Sequence, residues 1–341
     1  MKRIMLIAVT GLLFSTHLQA QVSFYGIGEK GYYNKTIKGA EGFVLPQMSL
    51  NFETFVETGV VVQESGLSRA TNNFSAMSKG GSYVGQTGSA KATTILDAGL
   101  ELADFQELAN DFQKIMEEEI ANAGFKVVSL PDARAMESFG KIAERYDAKA
   151  ERKEGKTKEE DIGVGTIQVF PDGSIFIFND KSVARGGGVA FVGMMKKFYG
   201  ETDAVILLQN IDIDFSTVEL KVGLEAGVKR KVTSADVQVF PKMRISKATF
   251  DFIGKIGSPN NVSANLEGDF VSEKPYKARI YQDKTKSDSF IKKFFAVNPP
   301  NIDFDPFIVE MTKEDYIAAA RDLFRDYAKE FAKVLVVGVN K

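Results

Sequence analysis

The stretch LADFQELANDFQKIMEEEIANAGFKVVSLPDARAMESFGKIAERY, residues 102–146, determines the predicted fold. Its apolar residues recur at helical spacing as far as residue 120, which predicts a helix with one buried face. Gly124 and Phe125 form a typical helix end, with glycine in the left-handed conformation and an apolar residue after it. A strand over 125–130 and a second helix opened by Pro131 follow. The apolar stripes of the two helices are Leu102, Phe105, Leu108, Phe112, Ile115 and Ile120, then Met136, Phe139, Ile142, Ala143 and Tyr146.

The flanking sequence adds strands and a last helix. Residues 92–97 predict a strand before the first helix, and residues 204–215 predict another that begins apolar and then alternates. Continued alternation over 218–224 and 232–252 predicts long antiparallel strands. We therefore expect an α+β or α/β fold. It would have a mixed sheet, two helices after the first core strands, long antiparallel strands and a C-terminal packing helix.

Several shorter patterns predict local structure. The turn Pro171-Asp172-Gly173 lies between two apolar runs and predicts a hairpin of strands 166–170 and 174–178. Arg185 to Gly188 predicts a flexible loop, and residues 189–199 a short helix. The C-terminal helix begins at Thr312, and the apolar run Leu335 to Val339 predicts a final strand.

Three regions follow from composition along the chain. Residues 1–20 have a basic start, a short apolar run and a small residue at position 20, which predicts a secretory signal peptide. Residues 21–90 form a β-rich N-terminal region with a Ser/Gly-rich loop at 66–89, for which a membrane-inserting hairpin is the alternative. Residues 91–341 form an α/β domain with an antiparallel β extension.

Glycines at 26, 28 and 31 match the pattern G-x-G-x-x-G. That pattern binds a phosphate only between a strand and a helix, and residues 32–37 do not predict a helix. We interpret the stretch as a glycine-rich turn near an edge strand.

The composition excludes several classes of chemistry. The chain has one histidine, His17, which lies inside the predicted signal, and it has no cysteine or tryptophan. The exported chain would therefore lack the imidazole or thiol that Ser-His-Asp and Cys-His catalysis require. Ordinary zinc, copper and haem ligation, a disulfide framework and a thiol lipid anchor are excluded in the same way. We expect no catalytic residues and no cofactor.

Charge and hydropathy argue against two kinds of interaction, binding to a nucleic acid and crossing a membrane with a helix. The formal net charge of −2 shows no basic footprint for a nucleic acid. After the predicted signal no run of 18 apolar residues occurs, so we expect no transmembrane helix.

Two acidic repeats are candidate metal ligands. Residues 210–214 and 301–305 each contain Asp-x-Asp, which on an extended strand places both carboxylates on one face, about 7 Å apart. Such oxygen ligands suit calcium. The alternative is that each pair lies on the solvent face of an amphipathic strand. The residues concerned are Asp212, Asp214, Asp303 and Asp305.

Two segments mix lysines with aromatic residues. They are candidates for a peripheral contact with anionic lipid headgroups or with a partner. The alternative is that the lysine stems cover apolar surface. The residues are Lys196, Lys197, Phe198, Lys292, Lys293 and Phe294.

The order of elements from about residue 92 resembles the α/β domain of bacterial envelope proteins of the CsgG and TolB amino-terminal type. Residues 122–128, with their Gly-Phe before a Val-Val strand, and residues 203–208 carry the resemblance, which covers about half of the chain after residue 20. The chain departs from the family's pattern in three ways. It lacks the lipid-anchor cysteine, its region before residue 91 has no counterpart, and its segment between the second helix and Thr202 is longer. The resemblance implies assembly at the outer membrane or in the periplasm, often as an oligomeric ring. It implies no catalytic residues, and some members build a secretion pore from inserted β-hairpins.

We therefore predict an exported, non-catalytic bacterial envelope protein. It would be periplasmic or associated with the outer membrane, and it would act by binding a protein partner or by self-assembly. The first alternative is a subunit of a membrane pore or secretion channel. Its discriminating feature is the segment 66–89 together with the alternating strands over 211–252, and it fails if those strands close into the soluble core. The second is a carboxylate-based hydrolase, which requires two acids facing one cleft.

Overall fold

A computed structural model describes residues 23–63, 86–147, 162–177, 184–224, 232–255, 263–282 and 302–341. These residues form an α+β fold, as the sequence predicts. The described helices are α1 Asn34–Ile37, α2 Leu102–Asn122, α3 Leu130–Ala135, α4 Glu137–Tyr146, α5 Ala184–Thr202 and α6 Lys313–Val339. The described strands are β1 Ser23–Tyr25, β2 Gly42–Glu53, β3 Phe55–Gln63, β4 Gln86–Asp97, β5 Lys126–Val128, β6 Thr166–Val169, β7 Val205–Asp214, β8 Thr217–Leu224, β9 Val232–Phe240, β10 Arg244–Ile253, β11 Ala264–Glu267, β12 Phe270–Val271, β13 Arg279–Gln282, β14 Ile302–Asp303 and β15 Phe307–Glu310.

The centre of the molecule is an eight-stranded mixed sheet in the order β1-β11-β10-β7-β2-β5, with β6 beside β2 and β12 beside β10. β2 runs parallel to β7 and β5, whereas β10 runs antiparallel to β7. Almost every residue of β2 and β7 is buried, as expected for strands that are covered on both faces. The predicted N-terminal region therefore supplies a central strand, β2, to the same sheet as β7 and β10.

Helices α2 and α6 cover one face of this sheet with an aromatic core. Phe112 of α2 stacks on Phe324 of α6 with ring centroids 4.3 Å apart, and Phe52 of β2 lies 5.2 Å from Phe105 of α2. These rings explain why a chain without tryptophan still has a large core. Thr312 caps the N-terminus of α6, since its Oγ1 accepts a hydrogen bond from the Asp315 amide at 3.1 Å.

Helices α3, α4 and α5 cover part of the opposite face. Phe139 of α4 and Phe198 of α5 lie 4.9 Å apart and pack against Ile206 and Leu208 of β7. The predicted second helix is divided at Met136, which has an extended backbone conformation.

Two hairpins continue from the C-terminal ends of the central strands. β3 follows β2 and pairs antiparallel with β4, which belongs to a five-stranded sheet with β13, β14 and β15. β8 follows β7 and pairs antiparallel with β9 as a two-stranded sheet. We call β3–β4 and β8–β9 together the hairpin pair.

Two predictions near helices are wrong. Arg185 to Gly188 lies inside α5 rather than in a loop, because helix formation is cooperative and the apolar sequence that follows continues the helix. The run 335–339 is the end of α6 rather than a strand. Leu335 is fully buried and lies four residues after the buried Phe331, so it continues the buried face of the helix.

The hairpin predicted around Pro171 is half correct. The Ser174 amide donates to the Pro171 carbonyl at 3.1 Å, so the turn is present, and β6 forms the first arm. The second arm is wrong: Ile175 makes only an isolated bridge to Asp147 and donates its amide to the Pro46 carbonyl. Residue 178 lies outside the described residues.

The remaining predictions concern the N-terminal region. Most of the predicted Ser/Gly-rich loop, residues 66–85, lies outside the described residues, whereas residues 86–89 belong to β4. The glycine-rich turn after β1 is confirmed, since Gly26 and Gly28 have φ of 95° and 92°. The one-turn helix α1 that follows was not expected. Its buried Asn34 donates to the Gly28 carbonyl at 2.6 Å and fixes the turn.

Candidate functional site

A group of polar side chains lies where the central strands leave the sheet and become hairpins. We call it the polar cluster, and it is positioned by β2, β6, β7 and β10. Its members are Asn51, Glu53, Thr166, Asp212, Asp214, Arg244 and Ser246.

Strand alternation and register bring these side chains together. Ile211 and Ile213 face the aromatic core, so the intervening Asp212 and the next residue, Asp214, face the opposite side. In the parallel pairing of β2 with β7, Glu53 lies beside Asp214. In the antiparallel pairing of β10 with β7, Arg244 lies on the other side of Asp214.

Asp214 is the buried centre of the cluster, with 4% of its surface exposed. Arg244 donates to it from Nε and Nη2, each 2.7 Å from Oδ2. Ser246 donates to Oδ1 at 2.8 Å. Arg244 also reaches Asp269 at 2.7 Å, so it links the central sheet to the turn after β11. A buried carboxylate is tolerated here because a guanidinium and a hydroxyl satisfy it.

The other two carboxylates have neutral hydrogen-bond donors. Asn51 donates its amide to Asp212 at 2.7 Å, and Thr166 donates its hydroxyl to Glu53 at 2.8 Å. Burial raises the pKa of Glu53, the Thr166 hydrogen bond opposes this, and the charges of Asp214 and Asp212 raise that pKa further. Glu53 therefore binds a proton more readily than an exposed glutamate.

The structure does not bring the two predicted acidic repeats together. Asp212 and Asp214 lie in the eight-stranded sheet, whereas Asp303 lies in β14 of the five-stranded sheet and Asp305 just after it. In the described part of the chain, no group of three or more carboxylates is arranged to hold a metal ion. The calcium site stays a prediction.

Of the two predicted segments of lysine and aromatic residues, only the one at 196–198 lies within the described residues. Lys196 and Lys197 are exposed on α5, but Phe198 is fully buried against α4 and is not available to a membrane. Lys292, Lys293 and Phe294 lie outside the described residues. Among the helices of the described ranges, none combines the length and apolar character of a membrane span.

The hairpin pair forms a second candidate surface, whose two layers lie face to face. β8 contacts β3, and β9 contacts β4. At the base of the pair, Ser216 Oγ lies 3.3 Å from Thr94 Oγ1. Because alternate side chains of a strand share a face, Val218 and Leu220 lie on the same side as Ser216 and so face the β3–β4 layer.

The outer face of β8–β9 is charged and the inner face is apolar. Lys221 lies opposite Asp236, and both are exposed. Leu220 lies opposite Val237, and both are only half-buried. The hairpin is therefore strongly amphipathic, although its apolar side is incompletely covered.

Among the described strands, the outer edges of β3, β8 and β9 have no pairing partner, whereas the outer edge of β4 pairs with β14 and β15. β3 pairs only with β4, and β8 and β9 pair only with each other. Exposed strand edges carry free backbone donors and acceptors and can pair with another chain. The arrangement can therefore bind a further strand without any catalytic group.

The base of the hairpin pair is held by hydrogen bonds between side-chain hydroxyls and the backbone. Thr54, between β2 and β3, donates its hydroxyl to the Gly165 carbonyl at 2.6 Å and accepts from the Gly163 amide at 2.8 Å. Tyr276 donates its hydroxyl to the Phe215 carbonyl, and burial raises the pKa of that hydroxyl. These bonds fix the direction in which the hairpins leave the core.

Comparison with known proteins finds no matching family model, no matching curated protein and no matching solved structure.

Proposed function

We propose that this chain is an exported bacterial envelope protein that acts by binding or self-assembly and catalyses no reaction. Its place would be the periplasm or the outer-membrane surface. The signal-like residues 1–20 and the lack of histidine and cysteine after residue 20 support the proposal. The resemblance to the CsgG and TolB amino-terminal domains is part of the same proposal.

The observation that carries the proposal is the hairpin pair. It continues beyond a well-packed core, the outer edges of β3, β8 and β9 are unpaired among the described strands, and its inner apolar face is half-buried. A fold that leaves edges and apolar surface together is suited to pairing with another chain. The fixed base described above would hold the surface in one orientation toward its partner.

A second candidate is a subunit of a membrane pore or secretion channel. The regular alternation of β8–β9 favours it, since a strand that faces lipid on one side and water on the other alternates in this way. β7 and β10 pair with each other in the core sheet. Of the alternating strands predicted over 211–252, only β8 and β9 therefore remain as candidates for insertion into a membrane. In the present arrangement the charged face of β8–β9 points outward, so insertion requires the two hairpins to separate.

The hydrolase is the least favoured alternative. The polar cluster does place Glu53 beside Asp214, but Arg244 and Ser246 bind that aspartate. We therefore assign the cluster a structural role at the base of the hairpins.

The test is the solution mass of residues 21–341 by light scattering, with and without a mild detergent. The full chain has a mass of 37.5 kDa, and we expect a discrete multiple of the monomer mass. Assembly that needs detergent would favour the pore subunit. A monomer of about the chain mass in both buffers would overturn self-assembly and direct the search to a soluble partner.

A shortened hairpin tests whether this surface is responsible. Leu220 and Val237 are register partners, so residues 221–236 can be replaced by Asn-Gly, a favoured two-residue turn. We expect this variant to be monomeric. The matched control changes the exposed Lys114 and Glu118 of α2 to serine and should assemble as the unmodified chain does. Equal assembly of the shortened and unmodified chains would show that β8–β9 is not the surface.

A further inference from the structure

We propose that the junction at which the two hairpins leave the core sheet is an electrostatic hinge that is poised to open. The carboxylates of Glu53 and Asp214 lie side by side at this junction, and their repulsion lets the β8–β9 hairpin swing away from β3–β4. The proposal goes beyond the proposed function, because it concerns a motion within one chain and holds whether or not the chain assembles.

The hinge lies where two neighbouring parallel strands end together. Glu53 is the last residue of β2 and Asp214 is the last residue of β7, and the two are register partners. Beyond this pair the two segments enter different sheets, because β3 joins the five-stranded sheet whereas β8, among the described strands, pairs only with β9. Two carboxylates are therefore neighbours at the last point where strand pairing joins the two segments.

Beyond the hinge the hairpins are in contact without strand pairing. β8 contacts β3 and β9 contacts β4, but the described strands show no register pair between the two hairpins. Ser216 and Thr94 join them at the base through hydroxyl oxygens 3.3 Å apart. Farther out the contact depends on apolar side chains such as Val218, which is 9% exposed, and Leu220, which is half-buried. A contact with few buried groups opens at a lower cost in free energy than the core does, so β8–β9 can move while the core sheet stays closed.

Glu53 carries its charge without a cation of its own. Within the described residues it forms no ion pair, and the hydrogen bond that it accepts comes from Thr166 at 2.8 Å. Burial raises the pKa of Glu53, that hydrogen bond lowers it, and the charges of Asp214 and Asp212 raise it again. The ionised side chain is therefore held against the charges of its neighbours.

The cations beside the hinge are engaged with the aspartates. Arg244 of β10 bonds both Asp214 and Asp269 at 2.7 Å. Lys247, also of β10, is the register partner of Asp212 and is exposed. Since β10 lies on the far side of β7 from β2, both cations face the aspartates first. The excess of negative charge therefore falls on the glutamate at the end of β2.

Opening relieves this repulsion. In the closed form Glu53 is half-buried beside Asp214, whereas after the last register pair parts it regains water and moves away from that charge. Charges that are apart in water interact far more weakly than neighbours at a partly buried site. The hydrogen bond of Tyr276 to the Phe215 carbonyl opposes the motion. The open form is therefore a minor population, of the kind that a labelling rate detects.

A single thiol can report the opening, because the chain contains no cysteine. Val218→Cys places the thiol on the covered inner face of β8, which a disulfide reagent reaches when the hairpins part. The matched control is Val205→Cys at the start of β7, where the valine is 3% exposed and belongs to the core, so that its labelling reports unfolding. Each rate is divided by the rate of the same variant unfolded in urea.

At neutral pH we expect the thiol at position 218 to be labelled at least about tenfold faster than the thiol at position 205, because local opening costs less than unfolding. Adding Glu53→Gln should slow the labelling at position 218 by at least about fivefold, because the repulsion is lost. Equal rates at the two positions would mean that the hairpins part only when the core unfolds. Fast labelling that Glu53→Gln leaves unchanged would mean that this charge does not drive the motion. Either result would overturn the hinge.

Thr166→Val should have the opposite effect. It removes the hydroxyl that donates to Glu53, so the ionised carboxylate becomes less favourable in the closed form. We expect labelling at position 218 to be at least about threefold faster, and to change less when Glu53→Gln is also present. An equal change in both backgrounds would contradict the role of the carboxylate. These rates report on a single chain, whereas failure of the proposed function appears in the mass measurement.

Discussion

Arg244 binds the buried Asp214 through two nitrogens of its guanidinium, with Nε and Nη2 each 2.7 Å from Oδ2. This pair joins β10 to β7 at the point where β7 passes into β8. It is therefore one of the links that hold the base of the hairpin pair to the core sheet, beside the hydrogen bonds of Thr54 and Tyr276.

Removing the Arg244 guanidinium should destabilise the fold, because the Asp214 carboxylate would stay buried without its counter-charge. We expect Arg244→Met to lower the free energy of unfolding by about 3–5 kcal/mol, measured by urea denaturation. The matched control is Arg321→Met, whose side chain is 33% exposed and bonds Asp111 at 2.6 Å. It should cost less than about 1 kcal/mol. A similar small loss in both variants would show that the Arg244 pair does not hold the base.

The sequence predicted the elements but not this pair. Alternation along β7 indicated that Asp212 and Asp214 share a face, and their positions agree with that. Nothing in the spacing indicated that Glu53 and Arg244 would flank Asp214, since register between strands far apart in sequence depends on the tertiary packing. Arg244 could have been found only by asking which cation satisfies an aspartate in a buried strand.

Apolar runs showed a second limit of sequence reasoning. The run 335–339 suits a buried helix face as well as a strand, and periodicity alone does not separate the two over five residues. The hairpin at Pro171 failed for a related reason. The turn depends on local sequence and was predicted correctly. The backbone partners of Ile175 are Asp147 and Pro46, which are distant in sequence and could not be predicted from the turn.

A buried tyrosine pair gives a second prediction. Tyr33 donates its hydroxyl to Asp251 Oδ1 at 2.5 Å, and both residues are almost fully buried. Tyr33→Phe should lower the free energy of unfolding by about 1.5–3 kcal/mol, because a buried carboxylate loses a donor.

Tyr327 provides the control for that substitution. It is also fully buried, but its hydroxyl has no hydrogen-bond partner among the described residues. Tyr327→Phe should cause no loss of stability in the same urea experiment, because a hydroxyl buried without a partner does not stabilise the fold. Equal losses for the two variants would contradict the role assigned to the Tyr33 hydrogen bond.

The pKa of Glu53 predicts a pH dependence of stability. Burial raises this pKa above its ordinary 4.5, with Asp214 and Asp212 acting in the same direction. The folded protein therefore binds the proton more tightly than the unfolded chain does. The stability that this proton contributes is fully present below pH 4.5 and is lost as the pH rises through the raised pKa of the folded state.

Glu53→Gln removes that titration and tests the sign. We expect the variant to lose less stability than the unmodified chain as the pH rises above 4.5, and to be at least as stable at neutral pH. Urea denaturation across the pH range measures this. Glu41→Gln, at a carboxylate 78% exposed, is the control and should keep the slope of the unmodified chain. An unchanged slope in Glu53→Gln would show that the cluster does not raise the Glu53 pKa.

Phe198 separates a core role from a surface role in the segment with Lys196 and Lys197. Its ring is fully buried and lies 4.9 Å from that of Phe139, so Phe198→Ala would leave a cavity between α4 and α5. We expect a loss of about 3–5 kcal/mol in the free energy of unfolding. Lys196→Ala, at an exposed position of the same helix, should change the free energy of unfolding by less than about 0.5 kcal/mol.

Binding to vesicles of anionic lipid gives the second measurement for the same two variants. If the lysines contact the membrane and Phe198 does not, Lys196→Ala weakens binding while folded Phe198→Ala protein, kept at low temperature, binds as the unmodified chain does. Loss of vesicle binding in folded Phe198→Ala alone would instead mean that the ring leaves the core to reach the lipid.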